Sequence, residues 1–272
     1  MSVVSQATKR LLKDTGARVP VVCGPMYPGS NPELVAAVSE AGGFGVVQPI
    51  ALTRLYGHDY RAGLKRIKEL TDKPFGVNIT ILPNTAAAAK YRKMNDEFLD
   101  IALDEGINFI LTSLGKPNDI VKKVHAAGGK VYHDVHTPKI ALQAAAAGVD
   151  GLNLLNSSMG GQTGAQTANE IISCSAAINA ARGMTDNDFP FLCAGGVATA
   201  GDLEDKMEMG YAGAQCGTRF LASEEAIVTK EYKQAIVEAG ELFCGKKECC
   251  LRGSTELHSG SYESPSLPFS LG

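Results

Sequence analysis

A single (β/α)8 barrel with a short C-terminal extension is the fold class the sequence predicts, and three observations predict it. Short β-branched runs alternate with amphipathic stretches from Val19 to about Gly240, as parallel strands joined by crossover helices require. Eight such units fall within about 220 residues, the typical content of a barrel and more than a doubly wound sheet usually strings together. With 272 residues, 44% hydrophobic and 20% charged, the chain is long enough to bury one large core.

The units follow in order. The first run, VPVVCGPM (19–26), leads into NPELVAAVSEAGG (31–43), where Ser30 or Asn31 can cap the helix. FGVVQ (44–48), FGVNITIL (75–82) and FILTSL (109–114) are the next three runs, and DIVKKVHAAGG (119–129) follows the last of them. KVYHDVH (130–136) precedes TPKIALQAAAAG (137–148), and GLNLLN (151–156) precedes a glycine-rich loop. FPFLCAGG (189–196) is followed by GDLEDKMEMG (201–210), and GAQCGTRFL (213–221) closes the series. Glycines that end the helical stretches suit helix C-termini. One more helix is expected from Lys230 to Glu241. The organisation read from this is a barrel over 1–240 and a Gly/Ser/Pro-rich tail over 241–272, extended or partly disordered.

Composition narrows the function classes. The net charge is −3 with both signs scattered, so no basic stripe offers a nucleic-acid footprint. No stretch reaches the roughly 18 apolar residues of a membrane span, and the opening MSVVSQATKRLLKD lacks a secretory apolar block, which gives a cytoplasmic expectation. The seven cysteines show neither metal spacing nor a disulfide framework and are read as reduced thiols. Cys244, Cys249 and Cys250 cluster near the end without a histidine or cysteine partner at finger-like spacing, so no metal site is assigned.

In a barrel the chemistry sits on the loops after the strands. The strongest constellation is CAGGVATAGD (193–202) with CGTRF (216–220), at the ends of the seventh and eighth runs. Those two positions build phosphate cradles, because glycine lets main-chain N–H groups approach an anion. Thr199, Gly201, Gly217 and Thr218 would add donors around Gly195 and Gly196. Period-two alternation in the third run turns Gly76, Asn78 and Thr80 to the lumen, and in the fifth it does the same for Tyr132, Asp134 and His136, with His133 outward. Three polar side chains at i, i+2, i+4 call for a wet or ligand-filled mouth. In loop six, NSSMGGQTG (156–164), Gly160 and Gly161 would admit main chain close to a flat ligand, with Gln162 projecting over it. In loop one, CGPMYPGSNPE (23–33), Pro25 and Met26 offer a stiff apolar edge.

At these loops the sequence resembles the nitronate monooxygenase family, whose fold is shared by flavin-dependent enoyl-acyl-carrier-protein reductases. The carrying segments are VVCGPMYPGSNPELVAAVSEAGGFGVV, KPFGVNITILP, AGVDGLNLLNSSMGGQTG, FLCAGGVATAGDL and GAQCGTRFLASEEA, between about Val19 and Lys233. The resemblance implies flavin mononucleotide (FMN) as cofactor, with Gly24, Pro25, Met26, Asn78, Asp134, Gly160, Gly161 and Gln215 around the ring. Ala194, Gly195, Gly196, Gly217 and Thr218 would surround the phosphate. It implies oxidation of alkyl nitronates with O2, or use of a second acceptor or of NAD(P)H, with Gln162, His136 and Asp134 as the catalytic candidates. A small-molecule substrate is the expected partner, and a homodimer is left open.

Two departures from the family pattern stand out. Gln162 occupies the place of a family histidine and cannot take up a proton near neutral pH, so a His136–Asp134 pair is the substitute expected. Asp134 stands where relatives often place lysine or glutamine, and its negative charge would disfavour an anionic reduced flavin. The alternatives are an NAD(P)H-dependent quinone or enoyl-thioester reductase on the same barrel, and a non-catalytic flavin-binding module.

Overall fold

The computed structural model describes residues 4–161, 164–185 and 188–239. Eight parallel strands close into a ring in chain order: β1 (Val21–Cys23), β2 (Phe44–Val47), β3 (Gly76–Ile81), β4 (Phe109–Leu114), β5 (Lys130–Val135), β6 (Gly151–Leu155), β7 (Phe191–Ala194) and β8 (Gly213–Cys216). β8 returns to β1 in the register Val22↔Gln215 and Cys23↔Cys216. The expected (β/α)8 barrel is therefore the fold.

Helices cover the ring. They are α2 (Pro32–Glu40), α3 (Tyr60–Leu70), α4 (Ala89–Asp104), α5 (Asn118–Ala126), α6 (Pro138–Ala146), α7 (Ala168–Ile172), α8 (Ser175–Ala181), α9 (Ala200–Glu208), α10 (Thr218–Leu221) and α11 (Lys230–Ala239), after an initial α1 (Gln6–Thr15). Several strands are shorter than their apolar runs. Pro20 and Pro25 flank β1, and the paired Gly195 and Gly196 end β7. The segment expected to continue β8 as far as 221 turns into α10 instead. A π-helical turn, Ala51–Leu55, follows β2 and has no signature in the hydrophobic pattern. The tail over 241–272, with Cys244, Cys249 and Cys250, lies outside the described residues. No helix among the described residues is long and apolar enough to cross a membrane.

Strand alternation sorts side chains between two cores. Val77, Ile79, Ile110, Val131, Val135, Leu152, Leu154 and Phe191 pack outward against the helices. Val22, Phe44, Val46, Phe109, Leu111, Tyr132 and Leu192 fill the lower lumen together with Ala7 and Leu11 of α1. Phe44 meets Phe109 at 4.7 Å between ring centroids, and Phe109 meets Tyr132 at 4.9 Å. α1 is capped by Ser5, whose Oγ accepts from the Thr8 N–H at 3.1 Å, and the helix lays Ala7 and Leu11 across the floor. Tyr132 reaches through that floor to donate to Asp14 at 3.1 Å. The N-terminal end of the barrel is thus filled with apolar and aromatic side chains, and polar residues enter the lumen only toward the opposite mouth.

Candidate active site at the C-terminal mouth

Above the aromatic floor, the lumen-facing positions become amides and a carboxylate. Asn78 is buried on β3, as the alternation predicts. Its amide is committed to the protein: Nδ2 donates to Leu111 O at 3.1 Å and to Ser113 Oγ at 3.3 Å, while Oδ1 accepts from Gln48 Nε2 at 3.0 Å. Gln48 in turn accepts from the Ile50 N–H at 3.3 Å. Asn78 therefore braces β2 against β4, a different part from the direct ring contact expected of it.

Two of the five buried side-chain polar atoms without a partner among the described residues lie on the other side of the mouth. Gln215 Oε1 on β8 and Asn153 Oδ1 on β6 are buried and accept no hydrogen bond. Each such acceptor costs about 1–3 kcal/mol unless something donates to it. Asn153 Nδ2 donates to Asp134 Oδ1 at 2.7 Å. Burial pushes the Asp134 carboxyl up to about 7, and the Asn153 bond opposes that rise. The full negative charge expected beside a flavin is thereby weakened at neutral pH. The Gln215 side chain also explains Gly24, since a methyl there would lie 2.8 Å from Gln215 Cδ.

The expected Asp134–His136 pair does not form. β5 ends at Val135, His136 is exposed in the loop beyond it, and Asn153 is the residue bonded to Asp134. His133 points outward as predicted, with Nδ1 2.8 Å from Thr112 Oγ1. Its burial pushes the imidazole down to about 4. Gln162 lies outside the described residues.

Two glycine-bearing loops close the site. Gly195 and Gly196 follow β7 with φ of 118° and 70°, values that favour glycine. A side chain on Gly195 would strike Met159 N at 2.5 Å and Asn156 Oδ1 at 2.7 Å. Asn156, buried at the end of β6, holds the two loops together: its Nδ2 donates to Gly195 O at 3.0 Å and its Oδ1 accepts from the Ser158 N–H at 2.8 Å. The N–H groups of Gly195, Gly196 and Gly217 make no hydrogen bond among the described residues and remain available. Thr199 does not: it is the N-cap of α9, and Asp202 accepts from the N–H groups of both Ala198 (2.9 Å) and Thr199 (2.8 Å). Ala194 and Gln215 are register partners on β7 and β8, and Thr218 begins α10 directly after Gly217.

On loop one, Met26 lies with its Sδ 3.2 Å from where a Gly217 side chain would begin. Ser30 fixes that loop by accepting from the Met26 N–H at 2.7 Å, and so is not the helix cap. Asn31 holds the N-cap position but spends its side chain elsewhere, donating to Glu225 O at 2.8 Å and accepting from the Ile227 N–H at 3.1 Å. Pro25 and Met26 are half-buried beside these groups. Gly160 and Gly161 are exposed, and nothing lies within 4 Å of a side chain built at Gly161. Sequence reasoning missed Asn153, Asn156 and Gln48. Asn153 had a signal, because the alternation used for the third and fifth runs also turns it inward.

A closed barrel that gathers unsatisfied acceptors, a carboxyl titrating near neutrality and free main-chain amides at the ends of β7 and β8 belongs among (β/α)8-barrel enzymes. A protein-family model described as nitronate monooxygenase matches residues 9–243. The chain belongs to the nitronate monooxygenase family, whose name marks it as one of oxidoreductases.

The nitronate monooxygenase of Pseudomonas aeruginosa (strain PAO1) is 28% identical over 264 residues, which cover 84% of this chain and 73% of the relative. The (3aS,4S,5R,7aS)-5-hydroxy-7a-methyl-1-oxo-octahydro-1H-indene-4-carboxyl-CoA dehydrogenase of Rhodococcus jostii (strain RHA1) is 28% identical over 240 residues. That match covers 88% of this chain and 62% of the relative, so this chain spans less than two thirds of its length. The solved structure of FabK from Thermotoga maritima is similar with a TM-score of 0.73 at 27% identity, covering 88% of this chain and 69% of that one.

Proposed function

We propose that the chain is an FMN-dependent oxidoreductase that oxidises alkyl nitronates with O2. The observation that carries this reading is the pair of orphaned acceptors, Gln215 Oε1 and Asn153 Oδ1, buried on the same mouth as the free amides of Gly195, Gly196 and Gly217. A flat ligand with N–H donors at one end and a phosphate at the other satisfies both sets. Gly195, Gly196, Gly217 and Thr218 would take the phosphate, Pro25 and Met26 the apolar edge of the ring, and Gln215 and Asn153 its polar edge. Bound flavin would supply the two-electron redox chemistry of the reaction.

The residues' own part is orientation and proton management. A carboxyl titrating near 7 suits general acid or base work at neutral pH, and Asp134 takes that role in place of the His136–Asp134 pair. Asn153 steadies its Oδ1, which leaves Oδ2 to hold the mobile proton. In its neutral form Asp134 does not repel an anionic nitronate. Gly160 and Gly161 are exposed and would leave loop six open above the ring.

The test is anaerobic. Purified protein should carry FMN and bleach when an alkyl nitronate is added, then regain colour with O2. A protein that binds no flavin refutes the proposal. Bleaching by NADH or NADPH and not by nitronate moves the assignment to a thioester or quinone reductase, a second reading supported by the relative named as a carboxyl-CoA dehydrogenase.

A further inference from the structure

A cavity lies outside the barrel wall, on the opposite face of β5 from the proposed flavin site. Side chains alternate along that strand, so Asp134 faces the lumen and His133 faces the helices. His133 lines a cleft of about 320 Å³ between the β4–α5 loop and α6. That volume is at the small end of ligand pockets, which run from about 300 to 1,000 Å³. Pro117, Ile140, Ala144 and Ala147 give the cleft apolar walls. The two alanines leave the space open, where longer side chains on α6 would fill it.

His133 is the buried polar group of the lining, 1% exposed, and its neighbour fixes its tautomer. Thr112 Oγ1 gives its one proton to Tyr132 O at 3.1 Å. In its 2.8 Å contact with His133 Nδ1 the hydroxyl is therefore the acceptor, and Nδ1 carries the hydrogen. Nε2 is then a lone-pair acceptor, and it has no hydrogen-bond partner among the described residues. Burial pushes the imidazole down to about 4 and so keeps the ring neutral near pH 7, with Nε2 still an acceptor. Left dry, such an atom costs about 1–3 kcal/mol, which a donor inside the cleft would relieve. The charge at the cleft has one sign. Lys116 is exposed and makes no ion pair among the described residues, and no carboxylate belongs to the lining. Lys116 also stands two residues before α5, whose start has no side-chain cap, so the partial positive charge of that first turn adds to the lysine. Asp119, the acid of the same turn, is outside the lining.

We propose that this cleft binds a small carboxylate with an apolar body and an O–H or N–H donor at its far end. The donor meets His133 Nε2, the body packs against Ile140, Ala144 and Ala147, and the carboxylate meets Lys116. Because the cleft and the mouth occupy opposite faces of β5, this site does not depend on the proposed flavin reaction.

The experiment uses the full chain with nitrogen-15-labelled histidine, followed by NMR, and 4-hydroxyphenylacetate as the probe. Titration should move the His133 Nε2 resonance, assigned by its loss in His133→Gln, along a saturating curve. 4-Methylphenylacetate keeps the shape and lacks the donor, and should bind at least about tenfold more weakly. Lys116→Gln should weaken 4-hydroxyphenylacetate by about two- to fivefold and leave the binding of uncharged 4-hydroxyphenylacetamide as in the parent. Ala147→Leu fills the cleft and should abolish the shift, with circular dichroism unchanged. A His133 signal indifferent to the probe would mean a cleft that holds water only, and overturns the proposal. Equal affinity for the hydroxyl and methyl compounds, or an Ala147→Leu variant that binds as the parent does, overturns it too. Flavin content in the same preparations reports on the mouth separately, so a failure here leaves the proposed function standing.

Discussion

Gln215 keeps a buried oxygen unsatisfied at the centre of the mouth, an expense that only a bound partner offsets. Replacing it with methionine, which keeps the volume and removes the acceptor, should leave the ligand-free protein as stable or raise it by about 1 kcal/mol. Flavin affinity should fall about tenfold, read by equilibrium dialysis against FMN; an unchanged dissociation constant would place the ring elsewhere. Gly195 makes a sharper demand, because its φ of 118° and the backbone N of Met159 leave no room for a side chain. Gly195→Ala should cost roughly 1–3 kcal/mol in a denaturant titration and lower flavin content, and full stability together with full loading would contradict the cradle. Much of this was legible in the sequence: the glycine pairs, Gln215 and the lumen-facing Asp134 follow from motif and alternation. The hydrogen-bond assignments were not. Whether Asp134 bonds His136 or Asn153 depends on where β5 stops, and Asn78's role depends on Gln48, two strands' worth of geometry that no local pattern encodes.

Strand β5 sets two titrating groups back to back. Asp134, facing the lumen, has its pKa raised to about 7, so the folded state holds a proton that the unfolded state releases near its ordinary value. Its contribution favours the fold at low pH and is lost as pH rises from about 4 through 7. His133, facing the helices, has its pKa lowered to about 4, so its contribution is present above its ordinary value near 6.5 and is lost as pH falls through 4. Each shift is worth on the order of 3 kcal/mol, and over the same window they oppose one another. Asp134→Asn should therefore expose a stability that falls on acidification between pH 6.5 and 4, while His133→Gln should expose one that falls as pH rises from 4 to 7. Melting temperatures across that range check both, and parallel profiles for the two variants would refute the assignment. Element order and facing were readable because period-two and helical patterns recur eight times. Element ends were less so, since proline at β1, paired glycines at β7 and the turn into α10 cut short runs whose composition still reads as strand.

At the scale of the whole molecule, the barrel closes where its shortest strand, β1, meets its last, β8, through the partners Val21↔Ala214, Val22↔Gln215 and Cys23↔Cys216. Immediately beyond that seam lie Gly24 and Gly217, and the same two strands lead to Met26 and Thr218 of the proposed flavin site. Saturating FMN, at a hundred times its dissociation constant, should add about 2.7 kcal/mol and raise the melting temperature by roughly 5 to 10 °C. A scan with and without added FMN measures this, and an equal melting point would separate the ligand from the seam. The cofactor then acts as a clasp joining the two ends of a ring. Chains that never acquire flavin would hold this seam by strand pairing alone, and proteases should open them there first, so the amount of this protein surviving in a cell would track the riboflavin supply.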